Sequence, residues 1–455
     1  MGSTRRYTAQ LVDSDLHCKS AENEKRIALA NVLCALPQSS EEGSGFILLF
    51  IQACAGADSQ REYERLESIW AADLPSTVLS ERLCTGIPHH LDPERGVEIH
   101  IILSRGSGMG LAHDNFRNLV QPFLSFLKVT GYKVHETRSA QSITELARSD
   151  FLYRARTGGP QTIILLSGDG GLVDIVDVFY NADDAKDGLR TPPNIALIPS
   201  GTGNAMANSI GLLDQPINGL TALLRGKGTP IPVFRATFSP GSQYITAEGN
   251  TKTPISQHGH QDNPTIYGAV VASWGMHAAL VADSDTTEYR KFGSDRFKMA
   301  AKELLFPSTG EETHKYRGII TLTLRDPKNG EPRTTEVVQG DEHAYILATF
   351  VPKLEKGFVI SPDSKALDGR LRIVHFSPMP PNEAVELMSL AYQNGKHAHH
   401  RDVTYTEVEG FEIKFREELE KWRRVCIDGK IIVVPRDGWM DVQRERRHLL
   451  ELISL

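Results

Sequence analysis

Ile163-Ile164-Leu165-Leu166-Ser167-Gly168-Asp169-Gly170-Gly171-Leu172 is an apolar run that breaks into a glycine-rich turn. About thirty residues later, Ile195-Ala196-Leu197-Ile198-Pro199-Ser200-Gly201-Thr202-Gly203-Asn204-Ala205 repeats the design. Apolar run, small residues, then a helix-forming stretch: this is how a buried parallel strand feeds a tight turn that opens a helix. Glycine there lets backbone N–H groups approach a ligand that any Cβ would block. The helix N-terminus adds partial positive charge, which favours phosphate. A lone glycine turn more often just joins a strand to a helix. Two at the ends of successive strands favour a phosphate site.

Working outward, Val97 to Leu103 predicts a strand, and Ser104 to Ala112 is a third glycine-rich turn, with Ser107, Gly108 and Gly110 at its centre. Phe116, Leu119, Val120, Phe123, Leu124 and Leu127 then recur at helical spacing, with Pro122 placed to kink that helix. Strand–helix alternation from 97 to about 225 predicts a parallel sheet with helices on both faces. Ligands on such sheets bind at the carboxyl ends of the strands, where all three turns sit. Val173 stands where a Rossmann fingerprint needs its third glycine, and the chain has no Walker loop, H-R-D or D-F-G.

Past Pro230 the texture changes to short alternating stretches at 232–238, 266–272, 318–324, 344–351, 358–360, 371–376, 404–415 and 425–434. They predict an antiparallel β-rich domain with helices near 295–305 and 382–394. Residues 239–264 are polar and predict a loop. Before residue 96, Gly45 to Ile51 predicts a strand, Arg61 to Ala72 a helix, and the Ser/Glu/Gly run at 39–45 a loop. The expected division is therefore an N-terminal extension over 1–95, an α/β domain over 96–228 and a β-rich domain over 229–455. The fold class is α/β plus β, with the site in the cleft between the last two.

At 455 residues with 40% hydrophobic and 24% charged side chains, the composition is that of a soluble globular protein. A net charge of −7 argues against nucleic acid as the main partner. Five cysteines, with no C-x-x-C pair, point to a reducing compartment. Phe46 to Ala55 is too short to span a bilayer. The N-terminus has no signal-peptide core. The expectation is a cytoplasmic protein with at most peripheral membrane contact. Candidate contact points are Lys421, Arg423 and Arg424 around Trp422, and Arg444, Arg446 and Arg447. Interspersed glutamates favour a solvated face there. His89-His90 and His399-His400 lack ligand partners at metal spacing and predict surface loops.

Ser-Gly-Asp-Gly at 167–170 followed by Pro-Ser-Gly-Thr-Gly-Asn at 199–204 resembles the lipid kinase catalytic domain shared by diacylglycerol, ceramide and sphingosine kinases. Ser167 and the segment Ser273-Trp274-Gly275, Asp283-Ser284-Asp285, Glu288-Tyr289-Arg290 and Gly293 to Phe297 look like the sphingosine kinase version. The resemblance covers roughly 97–435. It implies ATP on the glycine turns, touching Ser107, Gly108, Gly110, Thr137, Ser167, Gly168, Gly170, Ser200, Gly201, Thr202, Gly203 and Asn204. It implies Arg290 and Arg296 at the phosphates, which suits forked guanidinium donors. Asp283, or Asp285 given a two-residue length difference, would bind the ammonium and hydroxyls of a sphingoid head group. Asp169 becomes the candidate general base or Mg²⁺-placing carboxylate, against the alternative that it caps the following helix. Asp428 and Gly429 match a closing Asp-Gly-Glu motif at the nucleotide or metal. Ser361-Pro362, Leu367 to Leu371 and Gly395-Lys396-His397 match further family turns.

The departures are Ser104-Arg105 for Asn-Pro, Met109 for lysine, Gly171 for leucine or threonine, Asp174 for glutamate, Asp177 for asparagine and Lys430 for glutamate. A lysine cannot ligate Mg²⁺ or act as an anionic base. The expected function is an ATP- and Mg²⁺-dependent kinase for the primary hydroxyl of a sphingoid base, with the tail in an apolar pocket of the β-rich domain. The alternatives are a diacylglycerol or ceramide kinase, or an impaired lipid- or nucleotide-binding regulator.

Overall fold

The structure, a computed structural model, describes every residue outside 1–5, 41–42, 56–61, 109, 183–188, 202, 215–216, 218, 256–262, 294 and 326–331. Met109, Thr202 and part of the 239–264 stretch therefore lie outside the described residues.

The two quoted apolar runs are adjacent parallel strands, Gln161–Ser167 and Asn194–Pro199, the first buried along its whole length. Glu98–Leu103 lies on the other side of Gln161–Ser167, and Tyr132–Glu136 lies beyond it at the edge. The chain moves outward from Glu98–Leu103 to Tyr132–Glu136, then crosses back to Gln161–Ser167. The strand order thus reverses between Glu98–Leu103 and Gln161–Ser167, where an open parallel sheet presents its ligand crevice. The helical stretch after the first strand carries a π-turn over Phe116–Val120, then resumes as Gln121–Phe126 with Pro122 in its first turn. That position spares the proline a lost hydrogen bond.

Both faces of the sheet are covered. One packs on Phe116, Leu119, Val120 and Phe123 together with Leu33, Leu49, Ile51 and Leu66 from the N-terminal region. The other packs on the helix Asp169–Asn181, whose core continues without interruption into the β-rich half.

The N-terminal region is more than an extension. It is a six-stranded sheet with its own core around Leu16, Ile27, Leu48 and Phe50. The segment predicted as a helix is the strand Glu62–Asp73, paired with Gly43–Ala55 over ten residue pairs. Cross-strand pairing overrides the helix-favouring Glu, Arg and Leu content. Of the loop predicted at 39–45, residues 39–40 belong to the strand Val32–Ser40 and 43–45 to the strand Gly43–Ala55, while 41–42 lie outside the described residues.

Among the described residues the β-rich half holds sheets of seven and eight strands and a two-stranded ribbon, Lys353–Glu355 with Phe358–Val359. The 404–415 run divides into Val403–Val408 and Gly410–Phe415, which belong to different sheets; a Cβ on Gly410 would meet the Val442 carbonyl at 2.4 Å. The polar 239–264 stretch holds a hairpin, Gln243–Thr246 with Thr251–Pro254, that extends the eight-stranded sheet. The closing strand Glu451–Ser454 leaves the β-rich half. It inserts into the parallel sheet between Asn194–Pro199 and Lys227–Pro230. Its apolar run is the same whichever sheet receives it.

That return makes the C-terminus part of the nucleotide-side sheet. Deleting residues 449–455 removes Leu449, Leu450, Leu452 and Ile453, all buried. Each such side chain contributes about 1.5–3 kcal/mol. Circular dichroism of the truncated chain should show either no cooperative melt or a midpoint lowered by more than about 10 °C. A shift of about 2 °C would make the strand an appendage.

Candidate active site

The three glycine turns touch one another. The Gly168 N–H donates to Ser107 Oγ at 2.7 Å, and the Ser200 N–H donates to the Ser167 carbonyl at 3.0 Å. A Cβ on Gly201 would stand 2.5 Å from Gly168 Cα, and one on Gly108, at φ +54°, would stand 2.5 Å from the Ser200 carbonyl oxygen. These glycines are needed for loops to pack on loops, which the phosphate argument alone did not supply. Gly171 has a similar cause: a Cβ there would meet Ser167 Oγ at 2.7 Å. Gly170 and Gly203 differ. Nothing lies within 4 Å of the Cβ either would carry, and both line one large cavity. Among the described residues neither amide has an acceptor within the protein, so both N–H groups are available to an anion.

The other predicted nucleotide residues mostly hold the turns. Thr137 is buried and its Oγ1 accepts from the Arg105 N–H at 3.1 Å. Ser200 Oγ accepts from Asn115 Nδ2 at 3.2 Å. Asn204, in the left-handed region at φ +41°, clasps its own turn: Oδ1 accepts from Gly201 N at 3.2 Å and Nδ2 donates to the Gly201 carbonyl at 2.6 Å. Gly110 caps the first turn through its N–H to the Ser107 carbonyl.

Asp169 accepts from the Ala205 N–H at 2.5 Å and the Met206 N–H at 3.0 Å. It caps a helix, but the one that follows the other glycine turn rather than its own. Burial pushes its carboxyl above the usual range, although the two amides oppose the shift. One lone pair on each oxygen is still open, and the residue lines the cavity.

The cavity measures about 1550 Å³. From Asp169, Gly170 and Gly203 it runs to an apolar chamber walled by Leu280, Val281, Leu354, Phe358 and Met388. Arg290 and Arg296 line it too, but both are engaged by Asp285. Arg290 forks onto the carboxylate at 2.9 and 3.0 Å, and Arg296 Nη1 reaches it at 3.4 Å. Arg296 Nε is buried without a partner among the described residues. The tip of the 243–254 hairpin fixes this segment, with Glu248 accepting from the Thr287 N–H at 2.7 Å. Asp283 does not line the cavity; it pairs with Arg424 at 2.8 Å. Of the two head-group candidates, Asp285 alone faces the space.

Asp428 and Gly429 form the two-residue turn of the hairpin Arg424–Ile427 and Lys430–Val433, both at positive φ. The Asp428 carboxylate accepts from the Ala269, Val270 and Val271 amides at 2.6, 3.0 and 2.5 Å. Burial still pushes it up to about 6. Lys430 Nζ lies 2.8 Å from Asp174 and 4.0 Å from Asp177, inside the cavity wall. Burial disfavours its charge, but the two carboxylates hold its pKa above the ordinary lysine value. Among the described residues no three His, Cys, Asp or Glu side chains are grouped to hold a metal. Of the carboxylates around the cavity, Asp428 is taken by three amides, Asp285 by two arginines, Asp174 by Lys430 and Glu355 by the Tyr392 hydroxyl, which among the described residues leaves Asp169 with open lone pairs. The residues present do not fit a protein-held Mg²⁺.

Several expectations change here. The 421–447 basic cluster is mostly internal: Arg423 donates to the Val434 and Glu417 carbonyls at 2.9 Å, Arg444 pairs with Glu409, and Arg447 with Glu445. His90 is half-buried and its Nε2 bonds the Leu223 carbonyl at 2.7 Å. A Cβ on Gly395 would strike Pro362 at 2.9 Å, so the family turns at 361–362 and 395–397 pack on each other. Sequence reasoning missed His277, buried on the cavity wall with Nδ1 2.8 Å from Ser273 Oγ, and the Asp174–Lys430 pair. The Trp-Gly motif ends two residues before His277 and was the available signal for it.

The glycine geometry separates packing from binding. Gly201→Ala should cost about 1–3 kcal/mol in thermal or urea unfolding. Gly203→Ala should move stability by less than about 0.5 kcal/mol and weaken nucleotide binding. Equal stability loss for the two would refute the distinction.

Residues 98–236 match the family described as diacylglycerol kinase catalytic domain. Sphingosine kinase B of Dictyostelium discoideum is 32% identical over 138 residues, 30% of this chain and 17% of that protein. Sphingosine kinase 1 of Arabidopsis thaliana is 22% identical over 77% of this chain and 70% of its own. Sphingosine kinase 1 of Mus musculus is 22% identical over 74% and 87%. A crystal structure of a candidate diacylglycerol kinase from Bacillus anthracis superposes with a TM-score of 0.51 at 14% identity, covering 79% of this chain and 95% of that one, which shows a shared fold. Over residues 98–236 the chain is thus similar to the diacylglycerol kinase catalytic domain, and over about three quarters of its length it resembles sphingosine kinases at low identity.

Proposed function

We infer that the chain transfers the γ-phosphoryl group of ATP to the primary hydroxyl of a sphingoid base. The observation that carries this is the single cavity. One end offers the amide of Gly170, in the first turn of the 169–181 helix, and that of Gly203, just before the 205–209 helix, with Asp169 beside them. The other end is an apolar chamber sized for a lipid tail. A hydroxyl held between the two would attack the γ-phosphorus, the bond to the β-phosphate oxygen would break with ADP leaving, and the hydroxyl proton would pass to Asp169. The raised pKa of Asp169 suits that role, since a base works best with a pKa nearer the working pH. The sphingoid preference rests on the likeness to sphingosine kinases and on Asp285, the head-group candidate that lines the cavity. A reading as an impaired binding protein is favoured by one observation, the engagement of both cavity arginines by Asp285.

We also propose cytoplasmic protein that meets membranes at the cavity mouth rather than at the 421–447 cluster. Phe292, Met299 and Phe306 are exposed at intervals of seven residues, along and beside the helix Asp295–Leu305, with Lys291, Lys298 and Lys302 among them. That is the composition of an interfacial helix. No helix among the described residues is long and apolar enough to cross a membrane.

Labelled ATP with sphinganine, ceramide or diacylglycerol in mixed micelles tests the reaction. Phosphorylated sphinganine is the expected product; no product from any lipid refutes the kinase function, and product from diacylglycerol or ceramide alone refutes the substrate. Asp169→Asn should lower turnover by about 10²–10⁴-fold. It should also cost about 1 kcal/mol of stability, because Nδ2 cannot accept an amide N–H. The base acts as carboxylate, so activity should fall as pH drops through its raised pKa, above the ordinary ~3.9. An acidic limb at or below that value would remove Asp169 from the role. Changing Phe292 and Met299 together to Glu should abolish sedimentation with anionic vesicles at unchanged melting temperature; retained sedimentation would move the membrane face elsewhere.

A further inference from the structure

Lys430 has not been given a task, and its surroundings are unusual. It stands next to Asp428 and Gly429 on the cavity wall, with its ammonium 2.8 Å from Asp174 and 4.0 Å from Asp177. Asp174 lies five residues along the helix from Asp169, about 7.5 Å at 1.5 Å per residue. A cation therefore lines the same continuous space as Asp169 and the amides of Gly170 and Gly203. Arg290 and Arg296, which also line the cavity, are held by Asp285, and Arg148, Lys298 and Lys302 lie elsewhere along its wall. Lys430 is held too, but by carboxylates that give it a net negative cradle, so its charge stays on despite burial.

Among the described residues the wall offers no group of three carboxylate, histidine or cysteine side chains for a divalent ion. Asp428 spends its oxygens on three backbone amides and Asp169 on two, and Asp174 faces Lys430. A divalent cation entering between Asp174 and Asp177 would have to expel the ammonium.

The geometry points to Lys430 as the phosphate-positioning cation of this cavity, standing where a protein-held metal would otherwise be needed. The Asp174–Asp177 cradle aims the ammonium at the terminal phosphate of a bound nucleotide, and any Mg²⁺ arrives as part of the nucleotide substrate. This rests on the kinase reading above. A point-charge ammonium with three rotatable donors can serve a phosphate without leaving its carboxylate partner.

The test is binding, with activity as a separate arm. Mn²⁺ titrated into nucleotide-free protein and followed by electron paramagnetic resonance should stay free with the wild type. It should bind to Lys430→Glu, which places a third carboxylate beside Asp174 and Asp177. A fluorescent ATP analogue should bind the wild type in EDTA, and Lys430→Gln should weaken that binding at least tenfold while AMP affinity stays within twofold. Lys430→Arg should restore most of the ATP affinity, and circular dichroism melts of each variant exclude unfolding as the cause. Stoichiometric Mn²⁺ binding by the nucleotide-free wild type, or unchanged ATP affinity in folded Lys430→Gln, would overturn the assignment. So would binding of Mg-ATP with none in EDTA, and in that case the kinase reading stands. A wild type that binds no ATP with or without Mg²⁺ would defeat both.

Discussion

The burial of one helix, Asp169–Asn181, is the constraint on which the rest depends. Eight of its thirteen residues are buried, because it is wedged between the parallel sheet and the β-rich half. An ordinary surface helix needs one apolar stripe; this one is apolar on most sides, as a helix inside a core must be. Its first residue carries the candidate base and its first turn the free amide. Further along, Asp177 accepts from the Tyr267 N–H at 2.9 Å, and Tyr180 bonds the backbone at Arg447 and Leu449. Those contacts fix the angle between the two halves of the cavity. A shift of the helix would move the base, the phosphate amides and the apolar chamber together.

Much of the charge along the cavity wall is paired. Asp285 holds two arginines, Asp174 and Asp177 hold Lys430, and backbone amides hold Asp169 and Asp428. Leaving such groups unpaired in a low-dielectric space would cost several kcal/mol each. A polyphosphate would enter by sharing these cations, so the pairs that keep the empty cavity stable also set its selectivity for an anion of the right shape.

The sequence was legible where local pattern and burial coincide. The strands at 161–167 and 194–199 are apolar because both faces of a parallel sheet are covered, and their glycines mark where backbones meet. The hairpin at 424–433 was visible only as one alternating run, and Asp428-Gly429, read as a binding motif, is also its turn. Pattern failed where long-range pairing decides. Glu62–Asp73 has the residues of a helix and becomes a strand because a thirteen-residue partner lies beside it. Glu451–Ser454 could have closed any sheet. Among site residues, the turns were found from spacing, but partner choice was not. That Asp283 goes to Arg424 while Asp285 takes both arginines is a property of the folded surface. The substitutions at 174, 177 and 430 look unrelated along the chain; in space the three side chains meet.

The central claim is that the glycine turns and the apolar chamber are two ends of one active site. A crystal structure with a non-hydrolysable ATP analogue and a sphingoid base tests it most directly. The account predicts phosphate oxygens about 3 Å from the Gly170 and Gly203 amides, the lipid hydroxyl beside Asp169 and the tail among Leu280, Leu354 and Met388. A nucleotide seated away from those amides, or a lipid outside that chamber, would contradict it.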